Sequence, residues 1–214
     1  KVLSGNPDLV IVATGGLPNT GIVEGTELVH STWDVLGGSV KPSGRVLLFD
    51  DNAAHSGLAA AEMIADAGCE LEIVTPERFF GADIGGLNHV AYAEAFDRAG
   101  ARLTISKRLR EVRRNGSGLK VIIGSDYTDY VEERTVDQVF VEHGTLPLDD
   151  LYFELKPESL NLGEVDYPAL IEGRPQQVRS NPDGAFQLFR IGDAVSSRNI
   201  HAAVYDALRL CITL

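Results

Sequence analysis

Residues 46–68 read VLLFDDNAAHSGLAAAEMIADAG. Arg45–Phe49, which leads into this stretch, reads as a strand whose apolar run from Val46 to Phe49 is expected of one covered on both faces. Further on, Leu58, Ala61 and Ala65 repeat at helical spacing beside Ala60, Ile64 and Ala67, until Gly68 stops the pattern. A second strand pattern, LEIVT at 71–75, follows directly. Strand, helix and strand take about thirty residues, the length of a right-handed βαβ unit.

A nucleotide-binding βαβ unit carries glycines, G-x-G-x-x-G, where the strand turns into the helix. This turn has Asp50, Asp51, Asn52, Ala53, Ala54 and His55 instead. In one register, which we favour, His55 takes the first glycine place, Gly57 the second and Ala60 the third, and Glu62 follows two residues later. In the other, Asn52, Ala54 and Gly57 take the three places. In both, Gly57 and the alanines after it bring helix close to sheet whether or not a ligand binds. A carboxylate about 4 Å from a phosphate costs on the order of 4 kcal/mol at an effective dielectric near 20. Asp50 and Asp51 therefore point away, are paired, or mark a site that takes no dinucleotide. His55 is a candidate phosphate donor, against a solvated or capping histidine. Glu77 is a candidate for ribose hydroxyls, against an exposed loop acid.

Outside this unit, residues 8–13 form another apolar strand, broken by TGGLPNTG, a turn or crossover. Ser31 is a plausible cap for a helical turn in TELVHSTWDVLGG. LNHVAYAEAFDRAG reads as a helix ending at Gly100, and ARLTIS as a strand. Three alternating runs follow, RLREVRR, LKVIIGSD and TVDQVFVEH, the first two joined by the hairpin signal NGSG. Residues 147–184, with five prolines, form a crossing segment with a short helix near 166–172. FQLFRIGDAVSSRNIHAAVYDALRL closes the chain as strand, GD turn, loop and helix. The fold class is α/β, a Rossmann-like FAD/NAD(P)-binding fold in which a parallel sheet with helices is joined by an antiparallel three-stranded meander.

The 214 residues carry a formal charge of −12, from 31 acidic and 19 basic side chains, which argues against a nucleic-acid partner. Cys69 and Cys211 lie far apart without CxxC or histidine company, so neither a zinc site nor an iron–sulfur cluster is expected from this chain; both read as buried, reduced thiols of a cytoplasmic protein. No apolar run approaches the length of a membrane span and no signal pattern opens the chain. His30, His89 and His143 read as structural, and no catalytic constellation stands out. The chain begins at Lys1 and enters a buried strand almost at once, like a piece of a longer protein.

DLVIVATGGLPN at 8–19 and DQVFVEHGTLPL at 137–148 echo one another: Asp, an apolar strand, a small-residue turn, then Leu-Pro. Together with the opening stretch and FRIGDAVSSRNIHAAVYDALR, in this order, they resemble the C-terminal part of the NADH:flavin oxidoreductases. That family joins an old-yellow-enzyme barrel to disulfide-reductase-like nucleotide domains, and includes 2,4-dienoyl-CoA reductase and trimethylamine dehydrogenase. The resemblance implies that residues 1–22 and 150–214 are parts of a discontinuous FAD-type domain and 23–149 an inserted NAD(P)-type domain. It assigns Thr14, Gly15 and Gly16, with Gly192 and Asp193 of the GD turn, to FAD or ADP, in a site that this chain cannot complete. NAD(P) at the second domain stays open. The barrel, its FMN, a 4Fe–4S cluster and the first FAD-binding strand belong to the missing N-terminal part. An electron-transfer protein is a candidate partner. The implied role is electron transfer to or from the barrel FMN; the rival is a non-catalytic ADP-binding or docking module with a degenerate NAD site. A free-standing reductase is disfavoured.

Overall fold

A computed structural model describes residues 2–21 and 23–212. In chain order its main elements are β1 Leu9–Val12, β2 Gly16–Pro18, β3 His30–Ser31, α1 Thr32–Leu36, β4 Arg45–Asp50 and α2 His55–Asp66. Then come β5 Glu70–Val74, α3 Gly86–Ala99, β6 Arg102–Thr104, β7 Arg108–Asn115, β8 Gly118–Gly124, β9 Val131–Val136 and β10 Gln138–Glu142. The last are β11 Thr145–Pro147, α4 Asp150–Leu155, α5 Tyr167–Glu172, β12 Gln187–Arg190 and α6 Ile200–Cys211. Two compact units form: Lys1–Leu17 with Thr145–Leu214, and Pro18–Gly144. The expected boundary at residue 22 falls on a position outside the described residues.

The Pro18–Gly144 unit is built on a parallel sheet of order β3-β10-β4-β5-β6. Its strands alternate sides, as period-two geometry requires. Leu47 and Phe49 of β4 face the antiparallel β7-β8-β9 sheet and pack with Val112, Val121 and Ile123. Val46 and Leu48 face the helices and pack with Leu58, Ile64 and Phe96. The helix boundaries follow local signals. Ser31 and Asp34 form a reciprocal capping box at α1, and Gly100 ends α3 in the left-handed conformation that favours glycine. Gly116 supplies the positive φ that the two-residue β7–β8 hairpin needs, between the paired Asn115 and Gly118.

One expected strand divides. The run TVDQVFVEH belongs to two sheets: Thr135 and Val136 pair with β8, whereas Gln138–Glu142 inserts between β3 and β4. Asp137 marks the break, its carboxylate turned to the Arg45 backbone N–H at 2.8 Å and to the Arg45 guanidinium at 3.0 Å. Between the two sheets, the buried Glu72 of β5 accepts from Arg134 Nε of β9 at 2.8 Å and from Thr104 Oγ1 at 2.6 Å.

In the other unit, β1 and β12 run parallel, Leu9 opposite Gln187 through Val12 opposite Arg190. Val10, Val12, Leu155, Phe186 and Leu188 form its core with Tyr152. The turn TGGLPNTG contributes β2, which pairs with β11. Helix α4 was not anticipated, because its six residues complete fewer than two turns of periodic pattern. Buried Asn161 finishes the outer edge of β12: its Oδ1 accepts from Leu188 N at 2.8 Å, and its Nδ2 donates to Leu188 O at 2.9 Å. The expectation that Cys211 is buried is wrong. Leu210 is the α6 residue turned inward, and one position on, about 100° around the helix, the Cys211 thiol is exposed. Cys69 is buried as expected.

Candidate functional site

Each unit brings a subset of the sequence-selected residues to the C-terminal ends of its parallel strands, where ligands bind in open α/β sheets. In the Lys1–Leu17 and Thr145–Leu214 unit, Thr14, Gly15 and Gly16 follow β1, and Gly192 and Asp193 follow its neighbour β12. Gly15 has φ +72°, and nothing lies within 4 Å of where its Cβ would be. Gly16 serves packing: a Cβ there would stand 2.7 Å from the Leu146 carbonyl oxygen. Gly192, at φ +62°, lets α6 approach, a Cβ there meeting Ala203 Cβ at 3.3 Å.

The surrounding polar groups hold these turns in place. Thr14 Oγ1 donates to the Leu148 carbonyl, while Leu148 N donates to the Gly15 carbonyl at 3.0 Å. Half-buried Asp193 accepts from Thr145 Oγ1 at 3.2 Å and from the Arg198 backbone N–H at 3.3 Å. Asp206 accepts from Gly192 N at 3.1 Å and pairs with the Arg198 guanidinium. Asn199 caps α6, accepting from Ala202 N at 2.9 Å. Exposed Thr14 and the unfilled space beside Gly15 suit the close approach of a bound group, and Asp193 retains acceptor capacity.

In the Pro18–Gly144 unit the central turn is arranged differently. Asp51 is nearly buried and paired: Arg108 Nη1 donates to it at 3.1 Å, and His143 Nδ1 lies in hydrogen-bonding contact. Asp50, 2% exposed, turns inward beneath the first turn of α2. Its Oδ1 accepts from Asn52 N at 3.1 Å and Ala53 N at 2.8 Å. A Cβ on Gly57 would lie 2.3 Å from Asp50 Oδ2 and 2.5 Å from its Cγ, so the carboxyl rests directly on the glycine backbone. Burial pushes the Asp50 carboxyl up to about 7, opposed by the Ala53 N–H and reinforced by the charge of Glu142. Ala53, buried, takes the left-handed backbone at φ +54° that a glycine would adopt without strain.

Glu142 at the end of β10 completes the cluster. It accepts from Thr32 Oγ1, from Asn52 Nδ2 at 3.2 Å and from Gly144 N at 3.1 Å. Glu142, Thr32 and Arg108 escaped sequence reasoning; each stands on its own strand or helix, and the adjacency of β10 to β4 brings Glu142 to the turn while that of β3 to β10 brings Thr32 to Glu142. His55 opens α2 on the surface, its Nδ1 3.4 Å from Tyr92 Oη. Glu77 lies in the exposed loop beyond β5. Neither is among the partners of Asp50, Asp51 or Glu142 described above. Gly57 lies in the first turn of α2, where the atoms nearest to the place of its missing Cβ are those of the Asp50 carboxyl. His89 stacks on Phe80 at 4.4 Å, and His30 leans on Phe140 at 5.5 Å. Among the described residues no group of three His, Cys, Asp or Glu is placed to hold a metal, and no helix is long and apolar enough to cross a membrane.

No protein-family model matches the chain. Curated relatives do. It is 51% identical over 206 residues to a probable N-methylproline demethylase of Rhizobium meliloti, covering 96% of this chain and 30% of the relative. It is 42% identical over 217 residues to an N,N-dimethylglycine/sarcosine dehydrogenase of Chromohalobacter salexigens, covering 96% and 31%. The chain thus spans about a third of the length of these relatives. Histamine dehydrogenase from Rhizobium sp. 4-9 has the same fold, at a TM-score of 0.74 and 20% identity, covering 97% of this chain and 31% of that one. With half of its residues shared with one such enzyme across almost its whole length, and with the FAD/NAD(P)-type architecture described above, the chain belongs to the NADH:flavin oxidoreductase family that includes these demethylases and dehydrogenases.

Proposed function

We propose that the chain is the nucleotide-domain module of a flavin-dependent oxidoreductase that oxidises an N-methylated amine, and that it serves the electron transfer of that enzyme without taking electrons from NADH. The 51% identity to a probable N-methylproline demethylase carries the substrate class. In the intact protein a barrel-bound FMN and a 4Fe–4S cluster, both held by the N-terminal part, would receive the electrons, and an electron-transfer protein would take them onward.

Within this chain, Thr14, Gly15, Gly16, Gly192 and Asp193 form one side of a site for FAD or ADP. The supporting geometry is the pair of turns side by side at the ends of β1 and β12, with open space beside Gly15. A bound flavin would supply one- and two-electron redox chemistry; the chain's own part is to let the backbone approach at Gly15 and to offer the Asp193 carboxylate to a hydroxyl. The residues of the second unit do not fit a dinucleotide. His55 and Glu77 keep a role there only if NAD(P) binds after all.

Anaerobic titration of the full-length enzyme decides the matter. N-methylproline or dimethylglycine should bleach the flavin, and NADH should leave it oxidised. Bleaching by NADH, or by none of the N-methylated amines, refutes the proposal.

A further inference from the structure

In the Pro18–Gly144 unit, strand β4 lies inside the sheet order, with helix α2 following it across a four-residue turn. In a nucleotide domain this is where the pyrophosphate lies, against the turn N–H groups and the positive end of the helix. We propose that Asp50 is an internal ligand of this cradle: its carboxyl fills the space between the turn and Gly57 and excludes the phosphates of a dinucleotide.

Three observations converge on this one side chain. Two N–H groups of the turn, from Asn52 and Ala53, already donate to Asp50 Oδ1. Its other oxygen and Cγ occupy the volume that any atom attached to the inner face of Gly57 would need. No side chain caps α2 at Ala54, so the Asp50 carboxyl is the acidic group placed at the helix entrance. Asp51 differs although it is adjacent, because Arg108 and His143 hold it away from the cradle. Glu142 is committed to Thr32, Asn52 and the Gly144 N–H. Burial raises the Asp50 carboxyl, as expected of an enclosed acid that has no cationic partner among the described residues.

The inference rests on the reading above, that the second unit takes no NADH, and it names the group responsible. The test is calorimetric titration of the full-length protein with NAD+, comparing wild type with Asp50→Gly, Asp50→Asn and Asp51→Asn. Because the carboxyl is raised to about 7, its charge can be neutralised at little cost near neutral pH, and the exclusion is chiefly one of occupied volume. Asp50→Gly should therefore gain one NAD+ site per chain, binding at least about a hundredfold more tightly than wild type. Asp50→Asn, which removes the charge but keeps the volume beside Gly57 filled, should gain less than Asp50→Gly, and Asp51→Asn should gain nothing. Should Asp50→Gly fail to fold, Asp50→Asn and Asp50→Ser decide. Folded Asp50 variants without any gain overturn the proposal, as does an equal gain in Asp51→Asn. Amine-driven bleaching of the flavin in the same preparations reports on the functional reading separately: it can persist while the NAD+ gain is absent, and it can fail while the gain appears.

Discussion

Replacing Asp50 by Asn should make the protein more stable in alkaline solution and leave it nearly unchanged in acid. The Asp50 carboxyl sits at about 7 in the folded protein, against an ordinary value of 3.8, because it is buried and faces Glu142 and Asp51. A raised acid binds a proton in the native state that the unfolded chain has already released. Wild-type stability therefore falls as the pH climbs from about 4 to about 7, and the whole penalty is present above 7. Three pKa units correspond to about 4 kcal/mol, an upper bound for the gain on removing the charge. Asn keeps an oxygen for the Asn52 and Ala53 N–H groups but adds an amide N–H that needs an acceptor, and an unmet one costs about 1–3 kcal/mol. The net expectation is a gain of about 1–3 kcal/mol at pH 8 and none, or a small loss, at pH 5. Urea unfolding of both proteins at pH 5, 6.5 and 8 reads the difference directly. All other side chains are common to both proteins, so their contributions largely cancel in the difference. A stability difference that does not change with pH, or a variant that loses more at pH 8 than at pH 5, would falsify the account of Asp50 as a destabilised buried acid.

Gly57→Ala places a methyl group on the Asp50 carboxyl and should destabilise the second unit by about 1–3 kcal/mol. Adding Asp50→Gly should recover most of that loss, and additive thermal shifts in the double variant would count against the contact. Asn161→Ala strips the edge of β12 of a buried donor and acceptor, leaving Leu188 N–H and C=O without their partner, and should cost about 3 kcal/mol by chemical denaturation. An effect below measurement error would show that water replaces the side chain. Ser31→Ala removes half of the α1 capping box, for a loss of about 1 kcal/mol. Asp34→Ala should bring a similar loss, and the two together less than their sum, since each side chain bonds the other.

Much of the fold was legible because its signals are local. The helical spacing of Leu58, Ala61 and Ala65, the glycines that end α2 and α3, and the NGSG hairpin each depend on a few neighbouring residues, and the structure has elements at those places. The run TVDQVFVEH misled because period-two alternation does not say with which strand a segment pairs. Asp137 changes sheets without interrupting the apolar pattern. Cys211 misled because an apolar helix pattern shows that a face exists, not what covers it; Ile200, Val204 and Leu208 on the same helix are exposed.

The candidate site divides along the same line. By itself the sequence determined that glycines follow β1 and β12, that the β4–α2 turn lacks them, and that two carboxylates stand in their place, since composition and order along the chain suffice for each. Whether those carboxylates are paired, exposed or turned inward was decided only by the tertiary structure. The side-chain partners that hold Asp51 and Glu142 lie 57 to 110 residues away in sequence. The enclosure of Asp50 depends on how closely Gly57 lets α2 approach the end of its own strand, so two adjacent aspartates of like chemistry acquire opposite surroundings.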